Sequence, residues 1–165
     1  MDQERLSERM RKGGFAAFLL AQVGAYAAKR FAEELTPLKL APPHAGILRV
    51  LAGAGGLSQR ELAGRMGIHP SRLVAIVDEM EALGLVTREA NSDDRRQYAL
   101  QATGKGREVM GEIGAVARGH NEALLRALNA EERVHLVEML EKIAADQGLI
   151  PGVHPGYSTL GERKG

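Results

Sequence analysis

Three short stretches set arginine beside small or polar residues in a way that suits the base edges and phosphates of a nucleic acid: Ser58-Gln59-Arg60, His69-Pro70-Ser71-Arg72 with Ala75 following, and Asp94-Arg95-Arg96. Each residue type brings a definite chemistry. A guanidinium can bond the edge of guanine through two parallel hydrogen bonds, which assigns base reading to Arg72. The Ser71 hydroxyl suits base or phosphate, and the methyl of Ala75 suits that of thymine. Pro70, with its fixed φ and no amide proton, fits the first position of a helix whose unpaired amides then face a phosphate. Ser58, Gln59, Arg60 and His69 flank these groups and are assigned to the same surface. Arg95 and Arg96 fall at the tip of an expected hairpin, from which a side chain reaches into a narrow minor groove.

Catalytic chemistry is poorly provided for. His44, His69, His120, His135 and His154 show no ligand spacing such as H-E-x-x-H, and neither Ser58 nor Ser71 sits in G-x-S-x-G. Gly53-Ala54-Gly55-Gly56 and Gly104-Lys105-Gly106 complete neither a phosphate loop nor a dinucleotide fingerprint; they read as caps and turns. With no cysteine, thiolate metal sites, disulfides and thiol redox switches are excluded. No cofactor, no metal and no enzymatic activity are expected.

Charge argues less strongly. The 165 residues carry a net charge of +1, so the whole-protein field draws neither nucleic acid nor an anionic membrane. From Ser58 to Arg107 eight cations (Arg60, Arg65, Arg72, Arg88, Arg95, Arg96, Lys105, Arg107) meet seven acids (Glu61, Asp78, Glu79, Glu81, Glu89, Asp93, Asp94). A DNA reading therefore rests on where the arginines sit. The near-neutral balance keeps an alternative open, a winged-helix module that binds protein rather than DNA.

These side chains need a scaffold, and the sequence is punctuated for one. Apolar residues make up 44% and aromatics 4%, a balance that favours helices packed through Leu, Ala, Val, Ile and Met. A first helix is expected from about Glu4 to Leu35, weakened at Gly13-Gly14. Its segment from Phe15 to Ala28 follows basic residues, and Ala25-Tyr26-Ala27 has the form of a signal-peptidase site. Gln22 and Gly24 interrupt the apolar run and Asp2, Glu4 and Glu8 precede it, so it reads as an amphipathic helix in a cytoplasmic protein with no membrane span. Thr36 to Pro43 forms a proline-rich joint. After Pro42-Pro43 a second helix carries His44, Ile47, Leu48 and Leu51 on one side. Ser58-Gln59-Arg60-Glu61 is a capping box opening a third helix, ended by Gly67. Pro70 opens a fourth, with Leu73, Ile76, Val77 and Met80 as its buried stripe and Ser71, Arg72, Ala75 and Asp78 outside it. Leu85 to Ala90 and Gln97 to Ala102 read as a hairpin with Tyr98, Leu100 and Ala102 on one face. Thr103 and Asn129 cap two more helices, reaching about Leu128 and Gln147. The tail from Gly148 reads as irregular.

Two short helices joined through a glycine turn, followed at once by strand-turn-strand, make a winged helix-turn-helix. The run LSQRELAGRMGIHPSRLVAIVDEMEALGLVTREANSDDRRQYALQATGKG, Leu57 to Gly106, resembles the signature stretch of MarR-family regulators, down to the G-L-V strand, the D-x-R wing and the final T-x-x-G. The resemblance implies a fold that is mainly α with a small β-hairpin wing: a DNA-binding lobe over residues 36–106 on a helical dimerisation region, residues 1–35 and 107–147, with 148–165 as the tail. It implies that Arg96 enters the minor groove with Asp94 holding it. It implies a homodimer in which Phe15, Phe18, Leu19 and Val23 are covered by segments such as Leu136 to Ile143 of the second copy. Double-stranded DNA is the expected partner, as an inverted repeat with half-sites about ten base pairs apart. The resemblance further implies a small aromatic or phenolic ligand between body and lobe, with Phe15, Phe18 and His44 as candidate lining, and a ligand-responsive repressor as the expected function. On this expectation the joint from Thr36 to Pro43 lets the lobe move.

Overall fold

The computed structural model describes residues 15–54, 56–90 and 98–158. Six α-helices carry most of the described residues: α1 (Ala16–Leu35), α2 (Pro42–Gly53), α3 (Gln59–Met66), α4 (Pro70–Ala82), α5 (Gly104–Leu124) and α6 (Ala130–Asp146). The strands β1 (Leu57–Ser58), β2 (Val86–Ala90) and β3 (Tyr98–Ala102) form an antiparallel sheet in the order β1-β3-β2. This is the mainly helical winged architecture that the sequence implies.

Helix boundaries fall where local chemistry puts them. At the start of α3 the Ser58 hydroxyl accepts from the Glu61 amide at 3.2 Å, and the Glu61 carboxylate takes the Ser58 amide at 2.8 Å. Asn129 and Glu132 repeat the exchange before α6 at 3.0 and 2.9 Å. Each cap is worth about 1 kcal/mol. Gly67 ends α3 at φ 61°, a left-handed conformation that costs glycine little.

The core lies in the middle of the chain. Ile47 and Leu48 of α2, Leu62 and Met66 of α3, Leu73, Val77 and Met80 of α4, and Val86 and Leu100 of the sheet are sealed from solvent. Each such side chain contributes roughly 1.5–3 kcal/mol. By contrast, Leu35 is the sole buried residue of α1, only Gly106 and Ile113 are buried in α5, and none is in α6.

Four features depart from the expectations. The two-residue strand β1 pairs Leu57 with Leu100 and Ser58 with Ala99, too short a strand to leave a period in the sequence. Tyr98 does not share the burial of Leu100: it pairs with Ala90 at the outer end of the ribbon, beyond the core, and is 59% exposed. The segment from Thr36 to Pro43 is no open linker. It makes a 3-10 turn over Thr36–Leu38, and Leu40, Pro42 and Pro43 are buried. The tail read as irregular contains a 3-10 helix, Pro155–Ser158, that rests on α2.

Candidate nucleic-acid interface

α3 and α4 form the helix pair, and β2–β3 the wing behind it. The stripe Leu73, Ile76, Val77 and Met80 faces the core, so α4 turns Ser71, Val74, Ala75 and Asp78 outward, at the i, i+3, i+4, i+7 spacing of one helical face. Val74 is 42% exposed and was missed from sequence, because a valine beside a buried stripe reads as part of it. Arg72 is half-buried at the edge of this face rather than central to it. Ser71 is exposed, with its hydroxyl 2.8 Å from Nδ1 of His69, the residue that precedes Pro70 at the helix start.

The predicted residues around α3 divide by role. Ser58 is engaged in the cap: its hydroxyl also donates to Glu61 at 2.8 Å, and hydrogen bonds from the Ser58 amide and hydroxyl hold the Glu61 carboxyl below its ordinary range. Gln59 is half-buried, with its amide nitrogen sealed and unpaired among the described residues. Arg60 is exposed. Asp94, Arg95 and Arg96 lie outside the described residues.

Ion pairs that no periodicity announces fix the angle of α4. From β2, Arg88 donates to Asp78 of α4 at 2.6 Å and to Glu81 of the same helix, tying wing to recognition helix. Partial burial works against the Arg88 charge, but the bond to Asp78 and the two nearby carboxylates outweigh it and raise its pKa. On the other side, buried His44 stands at the start of α2. Its Nδ1 accepts from the Ala41 amide at 3.0 Å and its Nε2 lies 3.3 Å from Glu79 of α4. Burial holds the imidazole below its ordinary pKa against the pull of Glu79, so the neutral ring, with its proton on Nε2, bridges α2 to α4.

The join to α5 explains the T-x-x-G sequence at the end of the wing. The Thr103 hydroxyl donates to the Gly84 carbonyl at 2.6 Å and accepts from the Gly106 amide at 3.0 Å. A Cβ on Gly106 would stand 2.1 Å from the Leu85 carbonyl oxygen, so only glycine lets α5 approach the strand this closely.

Phe15 and Phe18 are 41% and 59% exposed at the start of α1. The length of α1, about 30 Å, separates them from its inner end beside α2, so the structure does not bring them to His44 within one chain. Among the described residues no cluster of His, Cys, Asp or Glu fits a metal ion, and no helix is long and apolar enough to cross a membrane.

Comparison with known proteins agrees with this geometry. Residues 38–97 match the family model described as MarR family. The HTH-type transcriptional repressor Rv2887 of Mycobacterium tuberculosis is 31% identical over 129 residues, 78% of this chain and 93% of that protein. Its structure in complex with DNA superposes with a TM-score of 0.69 at 28% identity, covering 78% of this chain and 96% of that one. Its complex with p-aminosalicylic acid gives 0.65 at 29%, covering 78% and 98%. The transcriptional repressor CouR bound to a 23-mer DNA duplex gives 0.70 at 29%, covering 78% and 92%.

Proposed function

The chain belongs to the MarR family of DNA-binding transcriptional regulators, and on that premise we propose that it is a cytoplasmic, homodimeric repressor, without enzymatic activity, released from its operator by a small aromatic acid. The observation that carries the reading is the outward face of α4, which offers Ser71, Val74 and Ala75 between two braces, the Arg88 ion pairs and the His44 bridge, while every large apolar group of its other face is spent on the core. Ser71 and Arg72 read base edges, Val74 and Ala75 meet thymine methyls, and the α4 N-terminus with His69 and Pro70 sits on a phosphate. Arg60 contacts the DNA backbone, Gln59 lies beside it at the first turn of α3 with its side-chain nitrogen turned inward, and Ser58 serves by holding α3. Arg96, positioned by Asp94 and joined by Arg95, enters the minor groove.

The dimer is supported by apolar side chains that one chain leaves uncovered: Phe18, Leu19 and Val23 on α1, and Val134, Val137 and Ile143 on α6. The lobe over residues 36–106 is the DNA-binding unit, and residues 1–35 with 107–147 form the dimer body. Ligand release is supported by the p-aminosalicylic acid complex of Rv2887. Phe15 and Phe18 then meet the ligand across the dimer, while His44 transmits its effect to α4 through Glu79.

Selection of bound genomic fragments, followed by anisotropy titration, tests the reading. An inverted repeat with half-sites about ten base pairs apart is expected. Arg72→Ala relaxes preference at particular base pairs by about 1–3 kcal/mol, whereas Arg96→Ala weakens all sites alike. p-Aminosalicylic acid and the operator weaken each other's binding by the same factor. The near-neutral charge favours one other reading, a protein-binding module. It predicts affinity for no duplex and little salt dependence, whereas phosphate contacts weaken steeply with salt.

A further inference from the structure

None of the residues of α6 is buried, and its ties at the N-terminal end are those of Arg133, to the Glu122 carboxylate at 2.7 Å and to the Leu128 carbonyl at 3.1 Å. Past its C-terminal end the chain doubles back, with the Leu149 amide bonded to the Ala144 carbonyl at 2.9 Å, and runs to α2. There the ring of Tyr157 rests on a missing side chain. A Cβ on Gly46, in the middle of α2, would stand 2.8 Å from two carbons of the Tyr157 ring and 2.8 Å from the terminal methyl of Met66. Glycine inside a helix costs about 1 kcal/mol relative to alanine, and here the vacated space is filled from the far end of the chain. His154 steadies the ring at a centroid distance of 5.7 Å and accepts from the Gly156 amide at 2.9 Å. A second touch lies upstream, where a Cβ on Gly152 would come within 3.1 Å of the Arg49 guanidinium.

At the upstream touch, Ile150 to Val153 form one side of a groove of about 760 Å³ whose other side is Val50, Ala54, Gly64 and Arg65. Leu149 and Ile150 remain 47% and 57% exposed. A segment seated at two points can lift without opening the core, since few of its own apolar groups are committed.

We propose that residues 148–158 are a strap that ties the end of α6 to α2 and sets the angle of the helix-turn-helix lobe on the dimer body, so that its release loosens the spacing of the two recognition helices and weakens operator binding. The inference rests on the dimeric DNA-binding reading above, and its test separates the two. The chain has no cysteine, so Ala82→Cys at the exposed end of α4 puts one spin label on each protomer. The label is placed in the parent, in Tyr157→Ala, in Tyr157→Phe and in a chain ending at Gln147.

The parent and Tyr157→Phe should give one narrow interlabel distance. Tyr157→Ala and the shortened chain should give a broadened one, exchange the α2 amides about tenfold faster and lose about three- to tenfold in operator affinity. All four should sediment as dimers, each at twice its own chain mass. Unchanged α2 exchange with an unchanged distance distribution in both strap variants overturns the strap, whatever the DNA result. Failure of the parent itself to bind any selected duplex overturns the DNA reading instead, with exchange still reporting on the strap.

Discussion

Ile47, Leu62, Leu73, Val77 and Leu100 of the helix-turn-helix lobe are sealed, while Phe18, Val23, Val134, Val137 and Ile143 of α1 and α6 are 46% to 59% exposed. The side chains are of the same kinds; what differs is whether their own chain covers them. The lobe is closed by α2, α4, the sheet and α5 of one molecule. The terminal helices are apolar on faces their own chain leaves bare, so their contribution to stability depends on a second molecule and on protein concentration. Loss of the core should therefore act at any concentration, and loss of the outer faces only through association.

The largest effect is expected inside the lobe. Leu73→Ala removes a sealed side chain from the buried stripe of α4 and should cost about 2–5 kcal/mol, read as a fall in the urea midpoint at both low and high protein concentration. A midpoint that stayed put would erase the contrast between the regions. Next comes Val137→Asp on the bare face of α6. A carboxylate buried without a partner in a dimer costs about 3 kcal/mol, so the dissociation constant should rise at least about a hundredfold by sedimentation. The parent should sediment at about twice the 17.8 kDa chain mass at micromolar concentration. A stable, folded monomer in the parent would break the comparison at its other end.

A smaller loss is expected from Arg88→Ala, which leaves Asp78 and Glu81 facing one another without their cation. Because Asp78 is 58% and Glu81 38% exposed, water screens much of the repulsion and stability should fall by only about 1 kcal/mol. Operator affinity should fall along with it as α4 loses its tie to the wing.

The smallest effect sharpens the picture of the α2–α4 brace. His44 titrates below its ordinary value of 6.5, so the unfolded chain binds its proton more readily than the folded one. Its contribution is complete above about pH 6.5 and is lost as pH falls through the lowered folded value. His44→Asn, which keeps an acceptor for the Ala41 amide, should flatten the slope of stability against pH in that window. Melting curves from pH 5 to 7.5 read it, and an unchanged slope would show that the ring is not the titrating group.

Much of this organisation was written locally. Ser58 with Glu61, Gly67, Pro70, Thr103 and Asn129 mark helix ends because each meets a backbone need within a few residues, and all of them act at those ends in the structure. The stripe of α4 was legible through its period. What stayed hidden depends on partners distant in sequence: the Leu57 to Leu100 pairing, the reach of Arg88 across to Asp78 and Glu81, and the docking of Tyr157 on Gly46. His44, expected as lining of a ligand cleft, makes bonds to Ala41 and Glu79 that form a brace between helices, and neither partner is marked by the sequence. Val74 escaped because composition does not say which way a residue at the margin of a stripe will face.

The contact at Gly106 has a mechanical side. α5 spans 21 residues and so extends about 31 Å, with one end pressed on the Leu85 carbonyl and the other far out along the body. A beam seated on bare backbone lies flat where a side chain would wedge it up. A tilt of about 4° at that seat carries the far end by about 2 Å. Where α5 meets its neighbours along the body therefore leans on the absence of one methyl group at residue 106.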